Sequence, residues 1–145
     1  MTTDDPFARR LQQRAEAGIH RLPAAAARAL EAAARPLGYA VFHVDLEGCA
    51  DKAALLARMA AALEFPEWFG HNWDALGDCL GDMSWRPAPG YLVFLDHADR
   101  LPAGAVADFA TALEVCADAA RELAQAGRPM WIVLDAAPSG DPPRP

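Results

Sequence analysis

The sequence predicts an α/β domain in which a small, mainly parallel β-sheet is packed with helices. Two segments, Tyr91–Asp96 and Met130–Leu134, are apolar without interruption up to their ends. Such segments are typical of strands that are covered on both faces in a parallel sheet. A third segment, Tyr39–Leu46, is rich in aromatic and β-branched residues and is also predicted to be a strand. Helical segments separate the three, and this order favours crossover connections between parallel strands.

The helices between these strands are predicted from the spacing of apolar residues and from the residues that stop a helix. Gly127 follows the longest helical segment directly, at a position where glycine commonly ends a helix. In chain order, the predicted elements are a helix over about 51–64, a loop over 65–70, a helix over about 72–83, a loop over 86–90 and a helix over about 104–126.

The first 38 residues are predicted to form a helix–strand–helix extension that packs on this domain. Pro6, which follows two aspartates, is typical of a helix start, and Gly18 is predicted to end that helix. Residues 19–22 are predicted to form a short edge strand, after which Pro23 opens an alanine-rich helix. The predicted divisions are this extension over 1–38, a core domain over 39–134 and a proline-rich, disordered tail over 135–145.

The composition indicates one acidic, folded domain. The chain has 145 residues, and 53% of them are hydrophobic, which is enough for a single core. Its 13 lysines and arginines against 20 aspartates and glutamates give a formal net charge of −7. Nonspecific binding of nucleic acid requires a cationic surface, so this balance argues against it. An acidic surface suits a cationic partner, although it also serves solubility alone.

The cysteines and the N-terminus indicate the cellular compartment of the protein. Cys49, Cys79 and Cys116 are widely spaced and include no CxxC pair, which argues against a zinc or thiol redox site. Reduced thiols are expected, with Cys79 and Cys116 buried. The N-terminus lacks the basic segment followed by an apolar segment that is typical of a signal peptide. No apolar run approaches the ~20 residues of a membrane span. We expect a cytoplasmic protein with no metal, no cofactor and no membrane contact.

The predicted helix over 72–83 carries the most informative pattern. Asn72 is well suited to be its N-cap. When the segment is wound as a helix, apolar residues fall on one arc, and aspartates and glycines fall on the opposite arc. The inner arc consists of Trp73, Leu76, Cys79, Leu80 and Met83, with Ala75 at its edge. The outer arc consists of Asp74, Gly77, Asp78, Gly81 and Asp82.

The outer arc combines features that weaken a helix. Asp74 and Asp78 are four residues apart, and like charges at this spacing cost roughly 0.2–0.5 kcal/mol. Gly77 and Gly81 each cost about 1 kcal/mol relative to alanine. A binding partner would explain both, because glycine permits close approach and paired carboxylates receive arginine or lysine. The alternative is a solvated helix face on which the helix dipole favours Asp74.

The loop before this helix is crowded with aromatic side chains. Trp68 and Phe69 are not both easily buried in so short a segment. Exposed aromatic residues beside a charged patch are typical of a binding hot spot. The alternative is a hydrophobic lid over the core.

These residues resemble the barstar family. Residues 66–80, PEWFGHNWDALGDCL, follow that family's pattern of Pro-Glu-aromatic-aromatic-Gly-x-Asn-x-Asp-Ala-Leu-x-Asp-Cys-Leu without a gap. The likeness continues through the strand over 91–96 and resumes at Arg121 and Glu122. It covers roughly residues 39–134 and implies a barstar-like fold, with the first 38 residues as an addition to it.

The resemblance also implies a function. Barstar-like proteins bind a guanyl-preferring ribonuclease of the barnase type and block its active site. On this likeness, Asp78 is the central anchor in the place of an RNA phosphate, Asp74 pairs with a nearby basic group and Glu122 is an outlying contact. Trp68 takes the place of the loop aromatic that stacks on the catalytic histidine of the enzyme. Four further residues frame the patch, which also includes Gly77: Phe69, Gly70, His71 and Asn72.

The partner implied by the resemblance is a cationic ribonuclease or a ribonuclease-like toxin domain, bound by a monomeric inhibitor as a 1:1 heterodimer. Three departures keep open an immunity protein against a different toxin or nuclease. Gly77 stands where barstar has tryptophan, and Trp68 and Trp73 are larger than the usual tyrosine and leucine. The N-terminal extension is the third.

Two other classes of function are alternatives. An enzyme would use His71, Asp74 and Asp78, but no second histidine, P-loop or nucleophile elbow accompanies them. The protein is therefore predicted not to be an enzyme. A scaffold or oligomerisation module would use the alanine-rich helix over 24–34, which packs equally well on its own sheet.

Overall fold

The computed structural model of the protein describes residues 6–13 and 16–135. Four strands form one sheet in the order β1-β4-β3-β2, and every neighbouring pair is parallel. The predicted α/β fold with a small parallel sheet is thereby confirmed. The strands are β1 (Gly18–Leu22), β2 (Ala40–Asp45), β3 (Tyr91–Asp96) and β4 (Met130–Asp135).

Within the described residues, five α-helices accompany the sheet. They are α1 (Pro6–Leu11), α2 (Ala24–Ala34), α3 (Lys52–Leu63), α4 (Trp73–Asp82) and α5 (Val106–Gln125). A 3-10 turn, Ala103–Ala105, precedes α5, so the regular helix begins two residues after the predicted start.

The first helix is shorter than predicted. It ends at Leu11, where the amides of Gln12 and Gln13 bond three residues back and tighten the last turn. Gly18 does not end this helix but begins β1, with a φ of 121°. The predicted helix start at residues 4 and 5 lies outside the described residues, as does the tail from 136 onward.

Both faces of the sheet are covered, which explains the continuous apolar strands. Along β3, Val93 and Leu95 face the larger core, which is built with α3, α4 and α5. Leu92 and Phe94 face the second core, beneath α1 and α2. Because successive residues of a strand point to opposite faces, a strand between two helical layers has no solvent-facing position to make polar.

The N-terminal segment supplies the second layer. β1 joins the sheet edge beside β4, with Gly18 opposite Trp131 and Leu22 opposite Asp135. The Tyr39 hydroxyl donates a hydrogen bond to the Leu11 carbonyl at 2.8 Å, which attaches the end of α1 to the start of β2. In the described part of this segment, α1 and α2 therefore pack on the sheet and β1 extends it.

A histidine also bridges the N-terminal segment and the sheet. The ring of His43, on β2, lies between Glu31 of α2 (Nε2 to Oε1, 3.0 Å) and Asp96 of β3 (Nδ1 to Oδ2, 2.9 Å). Burial opposes protonation of this ring, but the hydrogen bonds and charges of Asp96 and Glu31 raise its pKa above the usual value of 6.5. Protonated His43 thus stabilises this contact.

All three cysteines are buried and free, as expected of Cys79 and Cys116. Burial raises the pKa of Cys116 to about 12, so its thiol stays protonated at neutral pH. Among the described helices, none combines the length and the apolar character that crossing a bilayer requires.

Candidate functional site

The helix predicted to carry the site is bounded by the residues that the sequence indicated. Asn72 is the N-cap of α4, and its side-chain oxygen accepts a hydrogen bond from the Ala75 amide at 2.7 Å. Met83 ends the helix in the left-handed region with a φ of 49°. Leu76, Cys79 and Leu80 are buried, so the inner arc faces the core as predicted.

The outer arc remains at the surface, but its glycines have a neighbour within the protein. Asp74, Asp78 and Asp82 are exposed, whereas Gly77 and Gly81 are half-buried against α5. A Cβ atom on Gly81 would lie 2.5 Å from Oε1 of Glu122, and one on Gly77 would lie 3.4 Å from Cγ1 of Val115. The atom nearest to Gly81 is the end of an exposed, flexible side chain that a Cβ atom would displace, so the interpretation of the glycines from sequence stays a prediction.

The predicted carboxylates meet at a groove between α4 and α5 with a volume of about 240 Å³. One side of the groove is formed by Trp73, Asp74, Gly77 and Asp78. The other side is formed by Val115, Asp118, Ala119 and Glu122. Asp74, Asp78 and Glu122 are thus brought together and stay exposed. We call this surface the acidic groove.

Asp118 is a fourth carboxylate of the acidic groove that sequence reasoning missed. It lies one turn before Glu122 on α5, so it reaches the same side of the helix. Asp118 could have been found from its spacing of four residues from Glu122, which the resemblance had already assigned as a contact.

The charges of the acidic groove are mostly uncompensated. Asp118 pairs with Arg121 on the same helix, and both side chains are exposed. Across residues 6–13 and 16–135, Asp74, Asp78 and Glu122 have no salt bridge. Carboxylates held close together on a rigid surface without cations produce a negative potential that attracts a cationic ligand.

The loop before α4 divides its two aromatic side chains between surface and core. Trp68 is 63% exposed, whereas Phe69 is only 5% exposed and packs against Phe65 with ring centroids 5.0 Å apart. The two are not both buried, as expected, and Phe69 is the buried one because neighbouring aromatic rings form a small cluster that covers it. Phe69 supports the loop from below and does not present a surface to a partner.

The remaining predicted site residues lie in the same loop. Gly70, His71 and Asn72 are all exposed. A Cβ atom on Gly70 would lie 3.3 Å from Nδ2 of Asn72, so a side chain there would crowd the N-cap. His71 has a φ of 54° and rests on Phe69, with ring centroids 4.7 Å apart. Within the described chain, no hydrogen bond joins His71 to Asp74 or Asp78.

A second group of carboxylates, outside the acidic groove, offers atoms suited to a metal ion. One ligand atom each from Asp45, Glu47 and His97 lies within 4.8 Å of the others. These side chains already have partners, since Nδ1 of His97 is 2.8 Å from Oδ1 of Asp45 and Arg100 donates to Glu47 at 3.0 Å. Sequence reasoning missed this group, because β2 and β3 bring together residues about 50 positions apart.

The fold and the site together define a class of protein. A parallel α/β scaffold holds carboxylates at fixed positions beside an exposed tryptophan, without a nucleophile–base pair in the acidic groove. This arrangement is suited to binding a cationic protein surface.

Comparison with protein families agrees with this class. The family model described as Barstar (barnase inhibitor) matches residues 39–135, more than half of the chain. The chain belongs to the barstar family, and the resemblance seen in the sequence is confirmed. Members of this family are inhibitors of barnase-like ribonucleases and are not enzymes. Curated proteins gave no significant match to this chain.

Proposed function

We propose that the protein is an intracellular inhibitor of a barnase-type, guanyl-preferring ribonuclease and that the acidic groove and the adjoining loop block the active site of that enzyme. The observation that carries the proposal is the set of exposed carboxylates, Asp74, Asp78 and Glu122, which share one groove without a salt bridge among the described residues. A ribonuclease active site holds cations for the RNA phosphates, and these carboxylates have the opposite charge.

Each residue has a part in this proposal. Asp78 is the central anchor, because it lies midway along the exposed face of α4. Asp74 and Glu122 pair with basic groups on either side of it, one from each helix. Trp68 stacks on the catalytic histidine of the enzyme, and its 63% exposure leaves it available for this contact.

The residues around these contacts position them. Asn72 fixes the start of α4 through its hydrogen bond to Ala75. Gly70 keeps the N-cap free of a side chain, and His71 covers Phe69 at the edge of the patch. Gly77 lies inside the acidic groove between the anchors.

We further propose that the inhibitor acts as a monomer in the cytoplasm, forms a 1:1 heterodimer with its partner and needs no cofactor. An immunity protein against another ribonuclease-like toxin domain is the second candidate. Gly77 favours this second candidate, because it leaves the acidic groove open where barstar has a tryptophan side chain. A partner that fits the open groove needs a different shape at this place.

An inhibition assay with a panel of purified barnase-type ribonuclease and toxin domains tests the proposal. Hydrolysis of a fluorogenic RNA substrate is followed while the protein is titrated into a fixed amount of each enzyme. We expect at least one enzyme to lose activity at a 1:1 ratio. Full activity of every enzyme at a large excess of the protein would contradict the proposal. The same titration without any ribonuclease is the control for RNA cleavage by the protein itself.

A further inference from the structure

Three neighbouring strands of the sheet end in an aspartate. β2, β3 and β4 end at Asp45, Asp96 and Asp135, respectively. Because these strands are parallel, their carboxyl ends lie at the same edge of the sheet. In open α/β sheets, ligands commonly bind outside this edge. The group of Asp45, Glu47 and His97 lies here, so both its position and its side chains suit a ligand.

The ligand atoms of this group already face one another. Nδ1 of His97 lies 2.8 Å from Oδ1 of Asp45 and 3.9 Å from Oε1 of Glu47. One ligand atom of each of the three residues lies within 4.8 Å of the other two. The tetrahedral ligands of a zinc ion, each about 2.0–2.2 Å from the metal, are separated from one another by about 3.4 Å. Small rotations of these exposed or half-buried side chains are enough to reach that spacing.

Other side chains hold the backbone of the group in place. Arg58 donates hydrogen bonds to the carbonyl oxygens of Asp45 and Glu47, at 2.8 and 2.6 Å. The amide of His97 donates a hydrogen bond to Oδ2 of Asp135 at 3.1 Å. The segment after β2 and the residue after β3 are therefore both anchored from outside the group. Supporting contacts of this kind orient the residues that bind a metal ion.

Arg100 pairs with Glu47 but leaves one of its oxygens to the group. It donates to Oε2 at 3.0 Å, whereas Oε1 is the oxygen that faces His97. This pair is exposed, and exposed pairs contribute little to stability. A metal ion that binds Nδ1 of His97 and Oδ1 of Asp45 replaces the proton of the hydrogen bond between them, which is released to water.

We propose that Asp45, Glu47 and His97 bind a divalent transition-metal ion of the zinc type, with three protein ligands and one position open to water. An imidazole ligand suits zinc and similar metals, whereas calcium and magnesium prefer sites made of oxygen atoms alone. The ion would join the segment after β2 to the segment after β3 and stabilise the fold. The site uses no cysteine, so the spacing of the cysteines did not predict it. The inference is independent of the proposed function, because none of the three residues lines the acidic groove.

Titration of the protein and of His97→Asn with zinc tests the inference. The full chain is treated with a chelator, the chelator is removed, and Zn²⁺ is added in a calorimeter. We expect the unaltered protein to bind one Zn²⁺ per chain and His97→Asn to bind it at least about 100-fold more weakly. Asparagine is chosen because it tolerates the left-handed backbone of residue 97, which has a φ of 64°. Equal zinc affinities of the two proteins would overturn the inference.

Two charge variants distinguish a defined site from a merely acidic surface. Glu47→Gln removes one ligand and is expected to weaken zinc binding by at least about 10-fold. Asp99→Asn is the matched control, because it removes an exposed carboxylate two residues from His97 that does not belong to the group. We expect its zinc affinity to change by less than about 2-fold. Equal losses in the two variants would contradict the inference, and Glu47→Gln decides the matter if His97→Asn does not fold.

Thermal unfolding gives a second measurement of the same site. Zn²⁺ at about 100 times its dissociation constant should raise the melting temperature of the unaltered protein by roughly 5–10 °C. The same concentration should leave His97→Asn nearly unchanged. Ca²⁺ is expected to have little effect on either protein, because one of the three ligands is a nitrogen atom. A rise with Ca²⁺ equal to that with Zn²⁺, or no rise with Zn²⁺, would overturn the assignment of these residues as a zinc-type site.

Discussion

Removal of the central carboxylate is expected to change folding and binding in opposite directions. In the Asp78→Ala variant, two like-charge pairs along α4 disappear, one with Asp74 and one with Asp82, each four residues away. Each pair is unfavourable by roughly 0.2–0.5 kcal/mol, and alanine is a better helix former than aspartate. We expect the free energy of unfolding to rise by roughly 0.5–1.5 kcal/mol.

The loss in binding is expected to be larger than this gain. In the described chain, Asp78 has no salt bridge that the substitution would break, so the change acts almost wholly through the partner. Cations of the ribonuclease would be left buried without their anion, which costs about 2–5 kcal/mol. The dissociation constant should rise roughly 30-fold to several thousand-fold.

Urea unfolding and calorimetric titration against the inhibited ribonuclease measure the two effects. Glu114→Ala is the matched control, because it likewise removes one exposed carboxylate, in this case from α5, and lies outside the acidic groove. We expect the affinity of this control to change by less than about 0.5 kcal/mol. An affinity of Asp78→Ala equal to that of the control would refute the assignment of Asp78 as the anchor.

Three further predictions concern charge, the loop and pH. Association should slow steeply as salt rises, because opposite charges steer the encounter, and a stopped-flow rate that is flat from low to high salt would argue against charge-led docking. Trp68→Ala should weaken binding by about 2 kcal/mol and leave the melting temperature nearly unchanged, since the side chain is 63% exposed in the free protein; a large drop in melting temperature would show a structural role instead. The raised pKa of His43 stabilises the fold fully below its usual value of 6.5, and this contribution is lost as pH rises through the raised value. Above about pH 6.5 the unaltered protein should therefore lose less than about 1 kcal/mol of its free energy of unfolding, because His43 is half exposed, and His43→Gln should not show this loss. Urea unfolding of both proteins as a function of pH measures it; an identical pH dependence of the two would contradict the bridge.

Local patterns in the sequence were sufficient for the strands and for α4. The apolar segments of β3 and β4 could be recognised because a strand buried on both faces has no alternation to obscure it. The caps of α4 could be placed because Asn72 acts on an amide only three residues ahead. These interactions depend on neighbouring residues and are therefore visible in the sequence itself.

The features that could not be predicted depend on contacts between distant segments. Gly81 was interpreted without its neighbour Glu122, which lies 41 positions later in the chain. The burial of Phe69 could not be predicted, because the aromatic cluster that covers it forms only when the loop folds over the core. Asp118 joins the acidic groove only because α4 and α5 pack side by side. Packing between separate segments of the chain decides each of these cases, and one segment alone does not reveal it.

Competition with a guanyl mononucleotide tests most directly whether the acidic groove takes the place of RNA phosphates. The affinity of the protein for an inhibited ribonuclease is measured at increasing concentrations of the nucleotide, which binds the active site of that enzyme. We expect the apparent dissociation constant to rise linearly with the nucleotide concentration and not to level off. An unchanged dissociation constant at saturating nucleotide, with both ligands bound to the enzyme at once, would contradict the account.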